Sequence, residues 1–162
     1  MTDVALPGVL SGLMRQLGTW PVSSAVTLLS IGIVWRDFGG ELSGRLPAID
    51  EQAGRVWAGN EGGTVDAFRA AWTHPQAPSN NLSDAAAAAL LVTAGLAVSA
   101  GVVNALKVNY VVQLSALAGQ IATIQASANP AAMAMIPALM ARTKKNLDLL
   151  LNIAVTAIAP GF

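Results

Sequence analysis

The chain has 162 residues, 54% hydrophobic and only 11% charged, with zero net charge and no cysteine. Soluble domains carry roughly 25% charged residues, so this chain is short of solvating groups and should cover apolar surface with a partner, a second copy or a membrane. Disulfides, thiolate metal sites and cysteine nucleophiles are excluded. So is nucleic acid as a partner, because no cationic run is present to displace counterions.

The charges are unevenly spread. Residues 1–84 hold 13 of the 18, and from Ala85 to Ala141 the only charge is Lys107. An amphipathic front half is followed by an Ala-rich, nearly uncharged back half. The start of the chain is not a signal peptide: Asp3 stands where a basic region should, and no apolar run precedes a small-residue cleavage site. Export, if it occurs, should use another route.

A loop or short helix comes first and ends at Trp20-Pro21, with Ser23 or Ser24 as N-cap of the next element. Ala25 to Trp57 predicts a long helix. Leu28, Trp35, Leu42, Ile49 and Val56 recur every seven residues, and Ile31, Phe38, Leu46 and Ala53 complete a 3/4 seam for packing on other helices. Glu41 with Arg45 and Glu51 with Arg55 stand at i,i+4 on the surface side. Pro47 and Gly39-Gly40 predict a bend, or a break, near residues 43–47.

The glycines of residues 59–63 should end that helix and reverse the chain. Thr64 is the expected cap of a second helix, on which Val65, Phe68 and Trp72 share a face. His74-Pro75 ends it, and Pro78-Ser79-Asn80-Asn81 reads as a loop. Ser83 or Asp84 then opens a third, long helix. Asn129-Pro130 marks a new helix start, and Pro137 kinks or divides that element. A last helix is expected over roughly 141–158, with Ala159-Pro160-Gly161-Phe162 as its stop or the start of a linker. Met133, Met135 and Met140 read as adaptable packing.

Trp57-Ala58-Gly59 is a Trp-x-Gly triplet at the junction of two predicted helices, where glycine allows the reversal and the indole can cover the turn. Read without context, it is a helix C-cap beside a core tryptophan. The wider pattern is Trp20-Pro21, Val34-Trp35-Arg36-Asp37-Phe38, Gln52-Ala53-Gly54-Arg55-Val56-Trp57, Val65-Asp66-Ala67-Phe68 and Trp72. This resembles the WXG superfamily, and more closely the WXG-like N-terminal trafficking domain of type VII-secreted polymorphic toxins of actinobacteria, over about residues 9–155. That group includes the outer-membrane channel protein with a necrosis-inducing toxin.

The resemblance implies an all-α fold: a long hairpin over about 23–74 with a Trp-x-Gly turn, plus Ala-rich helices over about 83–158, forming one helical bundle. It implies a non-catalytic domain that carries an effector through a type VII system by binding small WXG hairpin proteins and the secretion machinery. Trp57, Gly59, Trp35, Phe38, Phe68 and Trp72 would be the turn and packing residues. Two features depart from the family. The sole tyrosine, Tyr110, is followed four residues on by Leu114 rather than the acid of the export signal, so a partner is expected to supply that signal. The family's effector domain would lie beyond the present sequence, unless the chain is a stand-alone member.

The 22 residues Ala85–Leu106 are uncharged and, as a helix, would be about 33 Å long, enough for a bilayer. Their small and polar residues favour a packed core helix, and the alternative is a membrane-inserting or channel-forming domain in the cell envelope. Ala94, Ala97, Gly101 and Ala105 are the candidate surface for a partner, a homo-oligomer or lipid. No catalytic, cofactor or metal site is expected. His74 lies in a loop, the adjacent Asp50-Glu51 point to different faces, and Gly62-Gly63-Thr64 lacks the lysine of a phosphate loop.

Overall fold

The computed structural model describes residues 2–159. All regular structure among them is helical. A 3-10 turn over Gly8–Leu10 leads into α1 (Ser11–Leu17). Then come α2 (Ala25–Ala58), α3 (Gly63–Trp72), α4 (Pro78–Ala126), the single turn α5 (Pro130–Met133) and α6 (Ile136–Ile158). The chain forms two compact units: a terminal unit up to Leu28 and from Ala97 on, and a middle unit from Leu29 to Leu96. Their boundaries fall inside α2 and α4, not in the loops.

In the terminal unit, α1, α6 and the second half of α4 share one core. Leu10, Met14 and Leu17 meet Leu106, Tyr110, Leu114 and Leu117 of α4 and Leu147 and Ala154 of α6. The Tyr110 hydroxyl donates to the Leu147 carbonyl at 3.1 Å, and Trp20 sits edge-on to the Tyr110 ring at 6.2 Å. The sole tyrosine is thus a buried structural residue. Met140 packs on this core, whereas Met133 and Met135 are exposed.

The α2 start is capped as expected at Ser24, whose hydroxyl accepts from the Thr27 N–H at 3.0 Å. Asp3, read only as a bar to a signal peptide, shares the task. It accepts from the Ser24 hydroxyl, from Ala25 N–H at 2.8 Å and from Val26 N–H at 3.3 Å. A carboxylate there satisfies orphan donors and the helix dipole together. Asn129 caps α5 by accepting from Ala131 N–H at 3.0 Å, with Pro130 at the first helical position.

Several expected boundaries move. α2 runs unbroken through Pro47. Thr64 is not a cap; α3 begins at Gly63, with Gly62 before it at φ 118°. Pro78–Asn81 is not a loop, and neither Ser83 nor Asp84 opens α4, which starts at Pro78. A proline at a first helical position gives up no helical hydrogen bond. Asn80 then ties the new helix back to the preceding turn, donating to the His74 carbonyl at 3.0 Å. Pro137 divides rather than kinks: it lies in the first turn of α6, which begins at Ile136 instead of 141. The expected stop at 159–162 lies, beyond Ala159, outside the described residues.

Candidate interaction surface

The α2 residues that face α4 in the middle unit are small. A side-chain carbon built on Gly39 would stand 3.1 Å from the Ala86 carbonyl oxygen and 3.2 Å from Ala89 Cβ; one on Gly32 would touch Thr93 and Leu96 at 3.7 Å. The Thr93 hydroxyl donates to the Gly32 carbonyl at 3.2 Å. Gly32, Gly39 and Ala53 are buried and Leu46 half-buried, a period of seven that also passes through buried Ala25. Opposite them on α4, Ala86 and Ala89 are buried. Glycine and alanine let two backbones approach closely, and that approach decides which face of α2 turns inward.

This corrects the expected seam in part, since its Leu46 and Ala53 do lie on the inward series. Ile31, Trp35, Phe38, Ile49 and Val56 are 37–47% exposed, and only Leu28 and Leu42 of the seven-residue series are half-buried. The back half of the chain does not cover them. Trp35 and Phe38 instead meet edge-to-face at 6.0 Å on the outside of α2, with Val34 also exposed beside them.

At the α2–α3 junction, Trp57, Phe68 and Trp72 form a chain of rings with centroids 5.8 and 5.9 Å apart. The Trp72 indole N–H donates to Asp50 Oδ1 at 3.1 Å, so Asp50 serves as an anchor while Glu51 pairs with Arg55. Trp57 is half-buried rather than fully inside. Gly59 closes α2 by donating to the Arg55 carbonyl at 3.3 Å, and a side-chain carbon there would sit 3.6 Å from that oxygen. The residue that needs glycine's freedom is Gly62, at φ 118°. His74 is a turn residue whose Nδ1 accepts from the Gln76 N–H at 3.1 Å.

Ala94, Ala97, Gly101 and Ala105 are all exposed on α4, on the side away from its buried seam. Leu90, Leu91 and Val98 are exposed as well. Of the most apolar stretch of α4, 28% is buried, and by length and composition α4 is long and apolar enough to cross a membrane. No cluster of metal-ligating side chains occurs among the described residues.

Asp3 is held below the ordinary carboxylate range, first by the Ser24 hydroxyl, with help from the Val26 and Ala25 N–H groups and the charge of Lys107. Sequence patterning missed Gly32 and Gly39. Their signal was the small-residue period through Ala25 and Ala53, which a search for large apolar residues passes over. Comparison with known proteins finds no matching family model, no similar curated protein and no similar solved structure.

Proposed function

We propose that the chain is a non-catalytic interaction domain that directs a toxin or effector through a type VII secretion system by docking small WXG hairpin proteins. The supporting observation is the exposed face of α2, where Trp35 and Phe38 meet edge-to-face with Ile31 and Val34 beside them. Exposed aromatic anchors ringed by aliphatic residues are the usual hot spots of protein interfaces. In this reading α2 and α3 form the family's hairpin, with Trp57-Ala58-Gly59 at its turn. The four small residues on α4 would serve a second contact, with the secretion machinery or another copy.

The test is co-expression with a small WXG pair, with Trp35→Ala and Phe38→Ala as variants. A stable complex with the parent chain, lost at least tenfold in the variants while their melting is unchanged, is the expected result. A well-behaved monomer that captures neither pair member nor a second copy overturns it. A second reading, insertion of α4 into a membrane, is favoured by the 28% burial of its apolar stretch. Liposome flotation and dye release separate the two, since a docking domain neither floats nor leaks.

A further inference from the structure

The first turns of α6 and the later part of α4 enclose a cleft of about 180 Å³ in the terminal unit. Gln113, Leu117 and Gln120 of α4 line one wall, and Leu139, Arg142 and Asn146 of α6 the other. Each set lies on one face of its helix, spans two turns and includes one leucine. Leu117 is fully buried and Leu139 packs on the core, so the floor is apolar.

The polar groups are unspent. Among the described residues, the side chains of Gln113, Gln120, Arg142 and Asn146 make no hydrogen bond or ion pair with protein. Together they offer a guanidinium fork and three amide groups. Nothing nearby in sequence neutralises them: from Ala85 to Leu147 there is no acid, and the first acid of α6, Asp148, is engaged by Lys144 at 3.0 Å.

We propose that this cleft binds a carboxylate carried on a short alkyl chain. The two in-plane oxygens of a carboxylate match the guanidinium fork of Arg142, the amides donate from either side, and two or three methylenes can lie on Leu139. A free small dicarboxylic acid and a glutamate side chain from a docked helix present the same chemistry.

The test is side-chain NMR on the full ¹⁵N-labelled chain, titrated with sodium glutarate. Parallel titrations use a blocked Ala-rich peptide with one glutamate, its glutamine counterpart, sodium phosphate and sodium chloride. Saturable shifts are expected at the Arg142 Nε–H and at the amides of Gln113, Gln120 and Asn146. Binding should weaken at least tenfold in Arg142→Gln, and partly in Arg142→Lys, which keeps the charge but loses the fork. It should be unchanged in Lys145→Gln, a neighbouring cation that does not line the cleft. Saturation by glutarate identifies a free acid as the source. Saturation by the glutamate peptide alone identifies a partner's side chain. No saturation by either, equal shifts from phosphate or chloride, or a folded Arg142→Gln that binds as before would overturn the proposal.

Discussion

The two units pack their helices in opposite ways. The terminal unit buries Met14, Leu106, Tyr110, Leu114, Leu117 and Leu147 in one interdigitated core. In the middle unit the buried residues are Gly32, Gly39, Ala53, Ala77, Ala86 and Ala89, none larger than alanine. Hydrophobic stabilisation scales with apolar area removed from water, about 25 cal/mol per Å². Close backbone approach therefore gives the middle unit good van der Waals contact but little of that term, and it leaves Trp35 and Phe38 outside. One helical alphabet thus yields one part that buries its large residues and one that leaves them exposed.

The largest expected effect separates the cores. Leu114 is 0% exposed, and Leu114→Ala should cost ~2–5 kcal/mol in urea unfolding. Leu91→Ala, at a residue 74% exposed, should stay within about 0.5 kcal/mol of the parent. Equal losses would mean that the two parts are packed alike.

Gly62 comes next. Its φ of 118° with ψ 164° is a region that essentially only glycine visits, so Gly62→Ala should cost ~1–3 kcal/mol. Gly59→Ala should cost far less, and thermal melts of the pair would show whether the Trp-x-Gly glycine or its neighbour carries the reversal.

Overpacking probes the close helix contact. Gly39→Leu drives a side chain into Ala86 and Ala89 and should lose ~1–3 kcal/mol. Gly40→Ala, with nothing within 4 Å, should gain up to about 1 kcal/mol through helix propensity. A neutral Gly39→Leu would show that the contact has slack.

The terminal unit has the complementary defect. Ala128 sits at φ 50° after α4, where glycine is the usual helix stop. Ala128→Gly should raise the melting temperature, by the equivalent of about 0.5–1 kcal/mol.

The smallest effect is pH-dependent. The Asp3 carboxyl is depressed below 3.8 in the folded chain by Ser24, the Val26 and Ala25 N–H groups and Lys107. A lowered native value stabilises above the unfolded carboxyl range and is lost as pH falls through the native value. The advantage of the parent over Asp3→Asn should therefore be complete at about pH 6 and shrink below 3.8. A pH-independent difference would mean that the cap is not ionic.

The order of helices was legible in the sequence because turn residues act locally. Asn129-Pro130, Ser24 and the glycines after Ala58 announce their roles without help from the rest of the chain. The face of α2 was not legible, because hydrophobic periodicity weighs residues by size while here the inward residues are those with least side chain. The Arg142 cleft escaped for another reason: its walls are far apart in sequence, and glutamines and an asparagine form no motif. Pro78 was misread because the same residue marks a loop or opens a helix, depending on the turn before it.

The buried face of α4 repeats with perfect 3/4 spacing from Ala86 to Leu117, through Ala89, Thr93, Leu96, Ala100, Val103, Lys107, Tyr110 and Leu114. Slid by seven residues it would still present apolar residues, although Leu96 would then take the place of Ala89 against Gly39. Lys107, only 5% exposed, is the one charge on this face. In the native alignment its ammonium feels the Asp3 carboxylate. Shifted one heptad either way, it would enter the place of Ala100 or Leu114 with no counter-charge, at a cost of several kcal/mol for an uncompensated buried ion. The one charge between Asp84 and Arg142 thus adds to side-chain size in marking where along its length the helix stops.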